Sequence, residues 1–139
     1  MTYTITRRAF LGKWIAACAA VSVPAGIARA GSFRGGPHPT PRPGITGAKV
    51  LTAEQLAKKA DLIPLFDAVR SAPDIIDGIR CNCGCAREPA YYSLLTCFEA
   101  PAMARECVIC QGQARLATRL HKLGKTLDEI RLAVDAKYE

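Results

Sequence analysis

The sequence predicts a small all-α domain of four to five short helices with a cysteine-rich turn. Apolar residues recur at helical spacing in several segments after residue 49, and two of these segments open with a capping-box pattern. Strand signals are weak, because this part of the chain has no alternating β-branched run and no Asn-Gly turn. The domain, residues 49–139, can bury only a modest core, so a metal or cross-links would add materially to its stability.

The first two helices are predicted between residues 52 and 79. The capping box Thr52–Gln55 marks the start of the first helix, whose apolar positions are Leu56, Ala60, Ile63 and Phe66. Pro64 is expected to bend or divide this segment, because proline removes a helical hydrogen bond. Pro73 is expected to open a short second helix, because its fixed φ suits the first helical turn.

Three further helices are predicted toward the C-terminus. A short one covers about Tyr91 to Phe98, and the longest runs from about Ala102 to Leu123. Gly124 is expected to end that helix, since glycine readily takes a left-handed C-terminal conformation. A second capping box, Thr126–Glu129, opens the last helix, whose apolar positions are Ile130, Leu132, Val134 and Tyr138.

Residues 1–30 resemble a twin-arginine signal peptide, with Arg7 and Arg8 as the arginine pair. The apolar stretch 14–28 is about fifteen residues long, shorter than the roughly twenty that a membrane span needs. Cleavage is expected after Ala30, because small residues precede it at the positions that a signal peptidase reads. An uncleaved membrane anchor and a lipoprotein modified at Cys18 are the alternatives.

The export signal predicts a periplasmic or other extracytoplasmic location. The expected partners are the twin-arginine export machinery, which reads Arg7 and Arg8, and a periplasmic partner protein that exchanges metal or thiols. Removing the signal lowers the net charge from +7 to +3, because 15 basic and 12 acidic residues remain. Nucleic acid is therefore not an expected partner, and no later stretch is apolar for long enough to cross a membrane.

Residues 31–48 form a Pro/Gly-rich segment that is expected to be a flexible linker. A flexible histidine near an N-terminus can bind Cu(II), but His38 is expected to be a solvated bystander. His121 lies in the long predicted helix, more than about 15 Å from Cys110 at helical rise, and is therefore not an expected ligand.

Six of the seven cysteines lie between residues 81 and 110, which predicts a shared chemical role. They are the expected site residues: Cys81, Cys83, Cys85, Cys97, Cys107 and Cys110. Alternate positions in a helix point in nearly opposite directions, so residues 80–86 are predicted to form a turn, with Gly84 free to adopt positive φ. Two more thiols begin the long helix, three residues apart, where the helix dipole favours thiolate.

All-sulfur ligation favours Cu(I), Zn(II) or an iron–sulfur cluster, but the spacing fits neither common ferredoxin pattern. The sequence is therefore interpreted as a soft-metal-binding protein that holds Cu(I) or Zn(II) for storage, delivery or structure. A thiol–disulfide oxidoreductase and a module stapled by three disulfides remain the alternatives. No phosphate loop or hydrolytic triad is evident, so no catalytic residues are assigned, and Glu88, Glu99 and Glu106 are expected to be solvated.

The cysteine pattern resembles the bacterial exported proteins named for a Pro-Cys-Tyr-Cys-Gly-Cys motif. The resemblance covers about residues 75–139 and rests on segments 81–85, 93–98, 107–110 and 124–131. Arg80 stands where the family has proline, and Asn82 stands where it has tyrosine. Some relatives place selenocysteine in the motif, which implies redox-active or soft-metal chemistry, and many are lipoproteins. The resemblance implies an exported, helical, thiol-dependent protein and names no substrate.

Overall fold

The structure is a computed structural model that describes residues 36–139. The predicted signal peptide, residues 1–30, lies outside the described residues. Within residues 36–139 the chain is helical, and its only strand-like pairing is an isolated antiparallel bridge between Val50 and Glu99. The all-α prediction is therefore confirmed. No helix in this range is long and apolar enough to span a membrane.

The described range contains four α-helices and five short 3₁₀ segments, two before the first helix and three between the second and the third. The α-helices are α1 (Ile63–Arg70), α2 (Pro73–Asp77), α3 (Val108–Lys122) and α4 (Leu127–Tyr138). The 3₁₀ segments are Gly47–Lys49, Ala57–Leu62, Cys85–Arg87, Leu95–Phe98 and Met103–Arg105. The longest helix, α3, packs against α1, α2 and α4 and is the central support of the domain.

The two prolines act at the starts of helices, but the helix predicted from Thr52 begins later than expected. The Thr52 backbone N–H donates to Gln55 Oε1 at 2.8 Å, which is half of a capping box. The residues after it form turns and a 3₁₀ segment, and Lys59 has a non-helical φ of −138°. Pro64 then lies in the first turn of α1, so the predicted segment is divided there.

The long helix is shorter than predicted at its N-terminal end. It starts at Val108 and not near Ala102, because Ala102 adopts a left-handed φ of 58° and precedes a separate 3₁₀ turn. The helix predicted over residues 91–98 is reduced to the 3₁₀ segment Leu95–Phe98. Phe98 is nonetheless buried, as predicted for an apolar face, and its ring meets Phe66 edge-on at a centroid distance of 4.8 Å.

The turn between α3 and α4 follows the prediction closely. Gly124 ends α3 with a left-handed φ of 77°. Thr126 Oγ1 accepts from the Glu129 backbone N–H, and Glu129 Oε2 accepts from the Thr126 backbone N–H at 2.8 Å. This capping box fixes the start of α4, which buries Ile130 and Val134 in the core.

Residues 36–48 differ from the expected flexible linker, because their polar groups are bonded to the helical domain. Arg42 donates to the fully buried carboxylate of Asp77 through its backbone N–H at 2.8 Å and its guanidinium at 2.7 Å. Arg131 donates to the Pro39 carbonyl at 2.8 Å, and Tyr92 donates to the Thr40 carbonyl at 2.6 Å. Proline-rich backbone has few internal hydrogen bonds, so its free carbonyls can accept from the helices.

Candidate metal centre

Four thiol groups converge at one end of α3. The Sγ atoms of Cys81 and Cys83 are 3.1 Å apart, and those of Cys83 and Cys85 are 2.8 Å apart. Cys110 Sγ lies 3.4 Å from Cys81 Sγ and 3.5 Å from Cys83 Sγ. All four sulfur atoms lie within 4.8 Å of one another. We call Cys81, Cys83, Cys85 and Cys110 the thiol tetrad.

The turn at residues 80–86 presents three of these thiols as the sequence predicts. Gly84 adopts a left-handed φ of 98°, which reverses the chain between Cys83 and Cys85. The 3₁₀ segment Cys85–Arg87 follows directly, and the Arg87 backbone N–H donates to the Gly84 carbonyl at 3.2 Å. Alternate side chains of this compact turn therefore face a common centre.

The fourth thiol comes from the first turn of α3. Cys110 is the third residue of that helix and is fully buried. One turn further along, Gln113 Oε1 accepts from the Asn82 backbone N–H at 3.2 Å. This bond ties the cysteine turn to the helix that carries Cys110. The positive end of the helix dipole favours thiolate at this place, but the hydrogen bonds with Cys81 and Cys97 act in the opposite direction on Cys110 and raise its pKa.

Arg80 anchors the turn to both ends of the described chain. Its backbone N–H donates to His38 Nδ1 at 3.0 Å, and its Nε donates to Asn82 Oδ1 at 3.0 Å. Its guanidinium pairs with Glu139 and lies 3.7 Å from Asp135 Oδ1. Because His38 Nδ1 accepts, the ring donates through Nε2, which lies 3.0 Å from Asp135 Oδ2. His38 is therefore a bonded structural residue and not a solvated bystander.

The other two predicted site cysteines lie outside the thiol tetrad. Cys97 is fully buried, and its thiol donates to the Ser93 carbonyl at 3.9 Å. It also interacts with the thiols of Cys81 and Cys110, so it borders the tetrad from the core side. Cys107 is the N-cap residue of α3 and is half-buried. Its sulfur is not part of the group of sulfurs that lie within 4.8 Å of one another.

The tetrad thiols have strongly shifted acidities because they share hydrogen bonds in a small volume. Hydrogen bonds from Cys110 and Cys97 hold the pKa of the Cys81 thiol far below its ordinary value. Burial and the hydrogen bond with Cys85 raise the pKa of Cys83, and the bonds with Cys81 and Cys97 raise that of Cys110. Without a cation, one thiolate is therefore stabilised by neighbouring thiols, and further ionisation requires positive charge at the centre.

The remaining residues considered in the sequence lie outside the thiol tetrad. His121 is exposed in the last turn of α3, as expected for a residue outside the site. Glu106 pairs with Lys59 at 2.9 Å on the surface, whereas Glu99 differs from its predicted solvated state because it is nearly buried. Sequence reasoning did not identify His38, Arg80 or Gln113 as supports of the site. The bonds that join His38 to Arg80, Gln113 to Asn82 and Arg80 to Glu139 connect residues 31 to 59 positions apart, so no local spacing indicates them.

The chain was also compared with known proteins. No family model, no curated protein and no solved structure matches it. The geometry of the thiol tetrad therefore carries the functional interpretation.

Proposed function

We propose that this protein is an exported soft-metal-binding protein that holds Zn(II) or Cu(I) on the thiol tetrad, for storage, delivery or structure. The observation that carries this proposal is the convergence of four sulfur atoms within 4.8 Å of one another. A tetrahedral zinc ion with Zn–S bonds of about 2.3 Å places its sulfurs about 3.8 Å apart, which lies within the range of 2.8 to 4.8 Å spanned by the tetrad sulfurs. Soft thiolate donors select the same ions over Ca(II) and Mg(II).

The surroundings of the tetrad support both ions in different ways. Four thiolates close a structural zinc site completely. Cys97 brings a fifth sulfur beside Cys81 and Cys110, and additional sulfurs suit a small multinuclear Cu(I) cluster. The number of ions bound per chain therefore discriminates between a single Zn(II) site and a Cu(I) cluster.

Elemental analysis of protein purified without oxygen tests the proposal. We expect about one zinc ion, or two or more copper ions, per wild-type chain. Cys85→Ser removes a half-exposed tetrad thiol and should reduce the bound metal at least about tenfold, because one ligand of the site is lost. Cys107→Ser is the matched control, since it removes a half-buried thiol outside the tetrad. Equal metal loss in both variants, or no metal in the wild type, contradicts the proposal.

Intact-mass measurement separates metal binding from the two thiol alternatives. Metal-binding protein should gain the mass of the ion under native conditions and show six reduced thiols in the mature chain after denaturation. Three structural disulfides would instead lower the denatured mass by about six hydrogen atoms and add no metal. A redox pair would lower it by about two hydrogens in a manner that depends on the applied potential.

The proposed export has a separate test at the arginine pair. Arg7→Lys together with Arg8→Lys should leave the precursor in the cytoplasm, because the export machinery reads both arginines. Arg29→Lys preserves the same charge outside the pair and should not affect export. The exported wild-type protein should begin at Gly31. Unchanged export of the double variant would contradict the twin-arginine assignment and leave the metal proposal standing.

A further inference from the structure

The thiol tetrad has one buried side and one accessible side. Cys81 and Cys110 are at most 1% exposed, whereas Cys83 and Cys85 are partly exposed. Any ligand that reaches the tetrad from solvent therefore meets Cys83 or Cys85 first. The two buried thiols are held by the core and by α3, so they form the fixed half of the site.

A cavity of about 250 Å³ adjoins the accessible side at Cys83. Its lining residues are Asn82, Cys83, Gly84 and Arg87. Gly84 leaves the wall open, because a Cβ at this position would meet no atom within 4 Å. The volume is below the range of about 300–1,000 Å³ that is usual for drug-sized ligands, so it suits a smaller molecule.

The polar groups of this cavity favour an anion. Arg87 forms no ion pair with any residue in the described range, so its positive charge is not compensated there. The side-chain Nδ2 of Asn82 is buried and has no hydrogen-bond acceptor. No carboxylate lines the cavity. A guanidinium and a free amide donor are groups that bind carboxylates.

We propose that this cavity, which we call the Arg87 cavity, binds a small thiol that carries carboxylate groups and brings its sulfur to Cys83. This inference rests on the proposed function and assigns the class of molecule that exchanges metal with the tetrad. Arg87 holds the carboxylate, while the thiol sulfur replaces Cys83 Sγ as a ligand. The proton released by the incoming thiol passes to Cys83, so the total charge is unchanged and no group is oxidised.

The first test uses reduced, metal-free protein and therefore does not depend on metal binding. Dithiobis(nitrobenzoate), a dianionic disulfide, and dithiodipyridine, a neutral one, react with accessible thiols and release a coloured product. In the Cys107→Ser background, peptide mapping should find the first modification at Cys83 or Cys85, the two accessible thiols of the tetrad. Arg87→Glu should slow the anionic reagent about tenfold relative to the neutral one, because a charge that attracts the anion is reversed.

Arg115→Glu is the matched control for this test. Arg115 is exposed, has no ion pair in the described range and lines a different cavity, between α3 and α4. It should leave the ratio of the two rates within about twofold of wild type. Equal slowing of the anionic reagent by both variants would mean that the net charge of the protein, and not the Arg87 cavity, attracts it, and would overturn the proposal. First modification at Cys97 or Cys110 would also overturn it.

The second test uses the metal-loaded protein and three thiols of different charge. Mercaptosuccinate is anionic, mercaptoethanol is neutral and cysteamine is cationic. Mercaptosuccinate should release the metal fastest, and Arg87→Glu should remove at least about tenfold of that advantage. An unchanged ratio of the mercaptosuccinate rate to the mercaptoethanol rate in Arg87→Glu would overturn the proposal. If no metal is bound at all, the proposed function fails, while the reagent rates of the first test still decide independently whether the Arg87 cavity attracts anionic molecules to the tetrad.

Discussion

Asp77 is a buried carboxylate that joins the proline-rich segment to the helical core. It is fully buried and accepts from the Arg42 backbone N–H, the Arg42 guanidinium and the Ser93 hydroxyl, the last at 2.6 Å. Burial raises the pKa of Asp77, but the hydrogen bonds from Arg42 and Ser93 outweigh it and hold that pKa below its ordinary value. The ionised form is therefore part of the native structure.

Asp77→Asn should lower the free energy of unfolding by about 2–4 kcal/mol at pH 7, because it leaves Arg42 without its buried partner. The folded pKa is depressed, so this contribution is present above the unfolded pKa and is lost as pH falls through the folded pKa. Urea denaturation at pH 7 and at pH 2.5 measures both effects, and the difference between variant and wild type should shrink at the lower pH.

Asp128→Asn is the control for that experiment. Asp128 is exposed and pairs with Arg131 at 2.9 Å within α4, so its removal should cost no more than about 0.5 kcal/mol. Equal losses at Asp77 and Asp128 would show that the buried network contributes nothing specific. Neither residue is a thiol ligand, so metal content should be the same in both variants.

Residue spacing predicted the cysteine site only in part. The turn at 80–86 and the inward direction of Cys81, Cys83 and Cys85 follow from their two-residue spacing and from Gly84. Cys97 and Cys107 were predicted as site residues too, but they lie outside the tetrad, because membership depends on where α3 begins and how deeply each side chain is buried. Even a shift of one turn at the start of a helix moves a thiol by about 5 Å.

At the scale of elements, the two capping-box patterns led to different structures. Thr126–Glu129 begins an α-helix whose residues Ile130 and Val134 are buried against its neighbours. Thr52–Gln55 makes one of its two bonds, but the residues after it form turns and a 3₁₀ segment with a non-helical Lys59, and a regular α-helix begins only at Ile63. Local patterns therefore predict a helix start well only where tertiary packing supports the turns after it.

Thr126→Ala should lower the free energy of unfolding by about 1 kcal/mol, because the Glu129 backbone N–H loses its acceptor at the start of α4. Thr46→Ala is the control. Its hydroxyl accepts from the Ala48 backbone N–H at a longer 3.5 Å and caps only a three-residue 3₁₀ turn, so its removal should cost less than about 0.5 kcal/mol. Urea denaturation would contradict this assignment if Thr46→Ala had the larger effect.

At the scale of the whole molecule, the cysteine turn is where distant parts of the described chain meet. Arg80 contacts His38 near its beginning and Glu139 at its end, while Asn82 contacts Gln113 in α3. The fold class was predictable because helical periodicity is local. The packing of residues 36–48 against the helices was not predictable. Proline and glycine content indicates that a segment forms few hydrogen bonds within itself, but it does not indicate which other parts of the chain the segment bonds to.

This convergence predicts that metal binding stabilises the entire domain. A ligand that binds only the folded state at about 1,000 times its Kd adds about 4 kcal/mol. In a domain of about 100 residues, this corresponds to a rise in Tm of more than about 10 °C. Thermal unfolding of reduced protein with and without Zn(II) or Cu(I) measures the rise, which Cys107→Ser should retain and Cys85→Ser should largely lose. A Tm that is independent of metal would mean that the core and the Arg80 contacts alone hold the turn in place, and a rise preserved in Cys85→Ser would place the ion elsewhere.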